Sequence, residues 1–82
     1  MHDSSIFRSL LKKIAAIASA HESARVTGVR VQLGATSHMD EAHFLEHWNE
    51  ATRGSGLEDV EITVDSSPEP FGVMLVDVDL ET

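Results

Sequence analysis

The first two residues, Met1 and His2, offer a metal ion three nitrogens at fixed short spacing: the terminal amine, the amide nitrogen of His2 and its imidazole. Closed around one ion they form fused, nearly planar chelate rings, which suit the tetragonal preference of nickel(II) or copper(II). Zinc prefers a tetrahedron and gains less. A bulky second residue blocks removal of the start methionine, so the chelate requires only that the amine stay unacetylated. Amine and imidazole must both lose protons to bind, and capture therefore weakens steeply as pH falls. Asp3 follows directly, able to cap a helix or to approach the ion.

A second set of ligand types stands in "SHMDEAHFLEH", with His38, Asp40, His43 and His47. His43 and His47 are four apart and share one face of a helix, the spacing of a two-histidine metal site. The same two residues also read as exposed or core-edge histidines beside an aromatic stripe. The stretch is not H-E-x-x-H, so it lacks the base of a zinc protease. No cysteine is present and no serine has a recognisable base with an orienting partner, which leaves nucleophilic catalysis without support. The chain does not read as an enzyme.

The elements that must position these groups follow from periodicity. Ile6, Phe7, Leu10, Ile14, Ile17 and Ala18 recur at helical steps, predicting an amphipathic helix from about Ser4 to His21 or Glu22, capped by Asp3, Ser4 or Ser5. Val29, Val31 and Leu33 alternate with Arg30 and Gln32 as a strand ended by Gly34. A second helix is expected from Met39 to Arg53, started by Ser37 or Asp40, closed by Gly54 or Gly56, with Phe44, Trp48 and Ala51 inside. Val60, Ile62 and Val64 mark a second strand. After the turn "SSPEP", the last strand is expected to place Val76, Val78 and Leu80 on one face and Asp77, Asp79 and Glu81 on the other.

The expected architecture is an α/β (α+β) sandwich in the order α-β-α-β-β, two helices on one face of a three-stranded mixed sheet. The strand-helix-strand unit is parallel, and the loop at Pro68 makes the last two strands an antiparallel pair. Glu61, Asp65, Asp77, Asp79 and Glu81 then lie on the uncovered face, with Arg30 as a counter-charge. That face reads first as solvated and second as a cation-binding surface.

The 82 residues make one small domain, near the size at which dimerisation aids stability. With 14 acidic residues against 6 basic ones the net charge is -8, which argues against nucleic acid and anionic membranes as partners. "KKIAAIASA" mimics a signal peptide, but its apolar part is short and continues the helical stripe begun at Ile6. The expectation is a cytoplasmic protein without a transmembrane segment.

Taken in order, "MHD" before a helix, "VTGVRVQLG" at Val26 to Gly34, "SHMDEAHFLEHWNEATRGSG" and "GVMLVDVDLE" resemble the HypA family of nickel accessory proteins for hydrogenase and urease maturation. Those chains begin Met-His-Glu and carry a strand of the form VTxVRxxIG. The resemblance implies nickel(II) held by the amine of Met1 with His2, the third residue close by, and an acidic residue at Asp40 near the same terminus. It also implies a GTPase partner and delivery to the large subunit of a nickel enzyme, of nickel-iron hydrogenase type. The alternative is a scaffold that binds such a GTPase or hydrogenase subunit without moving metal. Two departures stand out. The family's zinc ribbon, with two cysteine pairs between the last two strands, is replaced here by a loop at 66–70, so no zinc is expected and the chain is a single nickel-binding domain over 1–82. Asp3 replaces the family's glutamate and is one methylene shorter.

Overall fold

The computed structural model describes residues 3–22 and 24–81, apart from the side chains of Asp3 and Ser4. Five elements follow one another: α1 (Asp3–Ala20), β1 (Arg25–Leu33), α2 (Glu41–Ala51), β2 (Glu61–Ser66) and β3 (Val73–Glu81). The two helices and the three-stranded mixed sheet form the expected sandwich in the expected order.

Helix α1 forms because its apolar residues fall on one stripe: Phe7, Leu10 and Ile14 are buried, while Arg8, Lys12 and Lys13 are exposed. It starts at Asp3, so Ser5 lies inside the first turn and does not act as the cap. Its far end is closed by the His21 ring, which donates from Nδ1 to the Ile17 carbonyl at 2.9 Å, and by Glu22 at φ 62°. Both satisfy or redirect the last turn, whose carbonyls have no partner within the helix. Helix α2 is shorter than expected, at 41–51. Asp40 rather than Ser37 is its N-cap, and the chain leaves it at Thr52, before either candidate glycine.

The sheet order is β2-β1-β3, with β1 parallel to β2 and antiparallel to β3. The last two strands therefore run in opposite directions but do not pair, contrary to the expected hairpin. The loop between them crosses the end of β1 instead, and backbone bonds fix it there: Gly34 N–H to Gly72 O (2.7 Å), Ala35 N–H to Glu69 O (2.8 Å) and Ser67 N–H to Leu33 O (2.9 Å). A central β1 has both edges satisfied, and its Val29, Val31 and Leu33 are the buried hydrophobic residues of the sheet.

The expected alternation in β3 also fails at one point. Arg30 pairs with Asp77 but Val31 pairs with Leu75, so Val76 is the extra residue of a bulge. The bulge turns Val76 out to 45% exposure and makes Val73, Leu75 and Val78 the set packed on the core, with Leu80 half-buried beyond them. Asp77 and Asp79 stay on the open face, opposite Arg30 and Gly28. Arg30 reaches across that face to Asp65 at 3.3 Å, the counter-charge anticipated from sequence, and Arg25 pairs with Glu81 at 3.3 Å. Both pairs are well exposed and contribute little to stability.

Phe7, Leu10 and Ile14 from α1, Val29, Val31 and Leu33 from β1, and Phe44 and Trp48 from α2 make one core. Each large side chain buried there contributes roughly 1.5 to 3 kcal/mol relative to exposure.

Candidate metal site

Met1 and His2, the centre of the sequence-based site, lie outside the described residues. What is described is the ground on which that terminus is mounted. The chain enters α1 at Asp3, one helical turn before Phe7. The Phe7 ring packs on Phe44 (centroids 4.9 Å) and on the His47 imidazole (5.8 Å, planes 29° apart). The beginnings of the two helices are therefore held side by side through buried aromatic contact.

Asp40 stands at the head of α2. Its backbone is extended (φ -96°, ψ 177°), and Oδ1 accepts the His43 N–H at 2.8 Å. An aspartate does this because its short carboxylate reaches the otherwise orphaned amides of the first turn and meets the positive end of the helix dipole. Ser37, the other expected cap, instead organises the turn before it: its Oγ accepts the Met39 N–H at 3.3 Å. Asp40 is solvent-exposed.

The α2 histidines stand on the same side. His43 is exposed and His47 half-buried, with ring centroids 4.6 Å apart. His47 thus touches both His43 and Phe7. His38, by contrast, sits in the turn before α2 with a left-handed backbone (φ 58°) and is not part of this row. Among the described residues, no three His, Asp or Glu side chains gather closely enough to hold a metal ion.

Asp40, His43 and His47 all belong to the first two turns of α2, and those turns pack on the first turns of α1. Phe7 makes the connection. Sequence periodicity marks it only as a core residue, since spacing within one helix carries no information about which face of another helix it meets.

The remaining expected features divide by position. The acidic face of Glu61, Asp65, Asp77 and Asp79 lies on the open side of the sheet, on the opposite surface from both helices. Glu58 is the one described group whose acidity is clearly displaced: backbone amides, its own first and then that of Gly54, hold its carboxyl below the usual glutamate range. It belongs to the turn after α2, not to the metal-ligand candidates. No described helix is long and apolar enough to cross a membrane.

No curated protein matches this chain. Among solved structures, the solution structure of the Ni metallochaperone HypA from Helicobacter pylori shares the fold, with a TM-score of 0.79 at 15% identity over 98% of this chain and 97% of that one. The family model described as hydrogenase/urease nickel incorporation, metallochaperone, HypA matches residues 1–71, a span that includes Met1, His2, both helices and the first two strands. By that match the chain belongs to the HypA family of hydrogenase/urease nickel-incorporation metallochaperones.

Proposed function

We propose that this chain carries one nickel(II) ion through the terminal amine of Met1, with the amide nitrogen and imidazole of His2, and that Asp3 and Asp40 stand beside the ion. The observation that carries this reading is the family match, which begins at residue 1 and so includes the "MH" terminus. The placement of α1 supports it. A chelate attached ahead of Asp3 is mounted on a helix whose next turn is locked by Phe7 into the core, while Asp40 heads the neighbouring helix. A carboxylate at that helix head can accept a hydrogen bond from a coordinated nitrogen and so fix its orientation.

The client in this reading is the large subunit of a nickel-iron hydrogenase, with a maturation GTPase as partner in transfer. The chain acts as a carrier rather than a catalyst. It does so as a single domain: the connection from β2 to β3 is only the segment 67–72, and the sequence holds no cysteine for a zinc ribbon. Whatever zinc-dependent sensing or docking such a ribbon provides is then supplied by the client or by another protein.

The test is a nickel titration by calorimetry above pH 7 on protein beginning at Met1, beside a form with two extra residues ahead of Met1 and a His2→Ala variant. The reading requires one ion bound by the native terminus and a large loss of affinity in both altered forms. Unchanged affinity in His2→Ala would remove the site assignment. Retained binding of a GTPase or hydrogenase subunit after nickel chelation would favour the scaffold role instead.

A further inference from the structure

Strand β3 is an edge strand. β1 pairs with one side of it, and among the described residues no strand pairs with the other. An edge of nine residues leaves a row of backbone N–H and C=O groups that another extended chain can meet. The bulge at Val76 bends that row without ending it, since pairing with β1 continues on both sides of it.

A groove lies beside this edge. It is open, about 450 Å³ in volume, and runs between Lys13, Ala16 and Ile17 of α1 and Phe71, Val73 and Leu75 at the start of β3. A second hollow of about 310 Å³ joins it at Lys13 and Val73 and continues toward Ser5 and Ser9. Lys13 is the charged residue lining both, and it is exposed, so its stem can lie along the groove while its ammonium stays in water. A sheet edge facing a helix across an apolar groove is suited to gripping an added strand. Main-chain bonds to the edge hold it, and alternate side chains fill the groove.

The other side of such a strand meets different chemistry. Successive side chains point to opposite faces, so those that do not enter the groove emerge over the open face of the sheet. Asp77 and Asp79 stand there, opposite Arg30 and Gly28. The arginines of β1 are engaged elsewhere, Arg30 with Asp65 and Arg25 with Glu81, and among the described residues neither Asp77 nor Asp79 has an ion pair. Met74 and Val76, each 45% exposed, add apolar surface along the same strand. A second copy of this chain fits poorly. An antiparallel two-fold that pairs all nine residues sets Asp77 against Asp77, and each copy brings a net charge of -8.

We propose that the free edge of β3 takes an extended, basic segment of a partner protein as an added strand, with its apolar side chains in the α1–β3 groove and its lysines or arginines against Asp77 and Asp79. The inference rests on neither the metal site nor the client.

The experiment measures binding of a labelled synthetic peptide, KVKVKVKVK with blocked ends, to the full chain by fluorescence anisotropy at about 0.1 M salt. The peptide is expected to bind, and its glutamate counterpart EVEVEVEVE is not. N-methylation of one alternate set of peptide residues should lower affinity about tenfold or more, because the methylated amides can no longer donate to the edge. Net charge is unchanged in that peptide, so general attraction to an acidic protein does not produce the loss. Asp77→Asn/Asp79→Asn should weaken binding about tenfold. Ala16→Trp, at an exposed helix position, fills the groove and should do the same. Urea midpoints report whether each variant keeps its fold, and the methylated peptides test the edge on the unaltered protein. No binding of the lysine peptide, equal binding of the glutamate peptide, or an affinity indifferent to methylation of either alternate set overturns the proposal. So does unchanged affinity in either folded variant. If the chain alone is a dimer that Ala16→Trp makes monomeric, the edge belongs to a second copy and the proposal falls.

Discussion

The His47 imidazole stacks on the Phe7 ring at 5.8 Å, and through this contact the first turns of α1 and α2 become one surface. Phe7 is 2% exposed and also packs on Phe44. A domain of 82 residues has roughly 4 to 12 kcal/mol of stability in total. Replacing Phe7 by alanine costs about 3 to 5 kcal/mol and would take a large part of that. Phe7→Leu is the more informative change. It keeps most of the buried volume, costs about 1 to 1.5 kcal/mol by urea unfolding, and removes the flat ring on which His47 rests. A folded Phe7→Leu protein with loosened α1 should show weaker nickel binding; unchanged affinity would mean that the contact serves stability alone.

Asp40 combines two roles that one pair of substitutions separates. As the N-cap it accepts the His43 N–H at 2.8 Å, and Asp40→Ala should lower stability by about 1 kcal/mol. Asparagine caps nearly as well but carries no charge. Asp40→Asn should therefore unfold within about 0.5 kcal/mol of the native chain. If the carboxylate orients the metal site, the same variant loses about tenfold in nickel affinity. Unchanged affinity in Asp40→Asn would leave Asp40 a cap and nothing more.

The turn after α2 predicts a pH dependence. Backbone amides, its own first, then that of Gly54 and last that of Gly56 (2.9 Å), donate to the Glu58 carboxylate and hold its pKa below the ordinary glutamate range. A group whose folded pKa is depressed contributes stability that is present above its unfolded value. That contribution is lost as pH falls from about 4.5 through the folded value. Glu58→Gln should accordingly flatten the acid side of the stability curve below about pH 4.5. Because Glu58 is exposed, the difference at pH 7 is expected to be small. Urea midpoints for both proteins between pH 3 and pH 7 measure it; parallel curves would show that the backbone bonds do not persist in solution.

Much of this fold was legible because its signals are local. The stripe Phe7, Leu10, Ile14 and the alternation Val29, Val31, Leu33 each mark an inward face without reference to the rest of the chain. The failures share a different cause. That β1 separates β2 from β3 depends on where the 67–72 loop crosses, and the outward turn of Val76 depends on a register shift against β1. Neither relation is written in the spacing of one segment. The same holds for the described part of the candidate site: the chemistry of His43 and His47 could be read from residue types, but the seat of His47 against Phe7 depends on how two helices meet.

Two glycines of β1 and its end test the crossing loop directly. A methyl group on Gly34 would run into the Phe71 carbonyl and ring, and the carbonyl is backbone held in place by the Thr36 N–H at 3.1 Å. Relief requires the loop to move away from the end of β1, breaking some of the bonds that carry β3 to the far side of the sheet. Gly34→Ala should cost about 1 to 3 kcal/mol and increase hydrogen exchange at Ala35 and Thr36. Gly28 offers the contrast within the same strand. There the new methyl meets Asp79 Oδ2 at 2.8 Å, the end of a side chain on an exposed face that can swing aside. Alanine at a strand position also reduces the freedom of the unfolded chain, worth about 0.4 to 1 kcal/mol. Gly28→Ala should therefore be neutral or slightly stabilising. If both substitutions cost the same, crowding by the Phe71 backbone is not what makes glycine necessary at position 34, and the loop is free to shift without loss of the sheet.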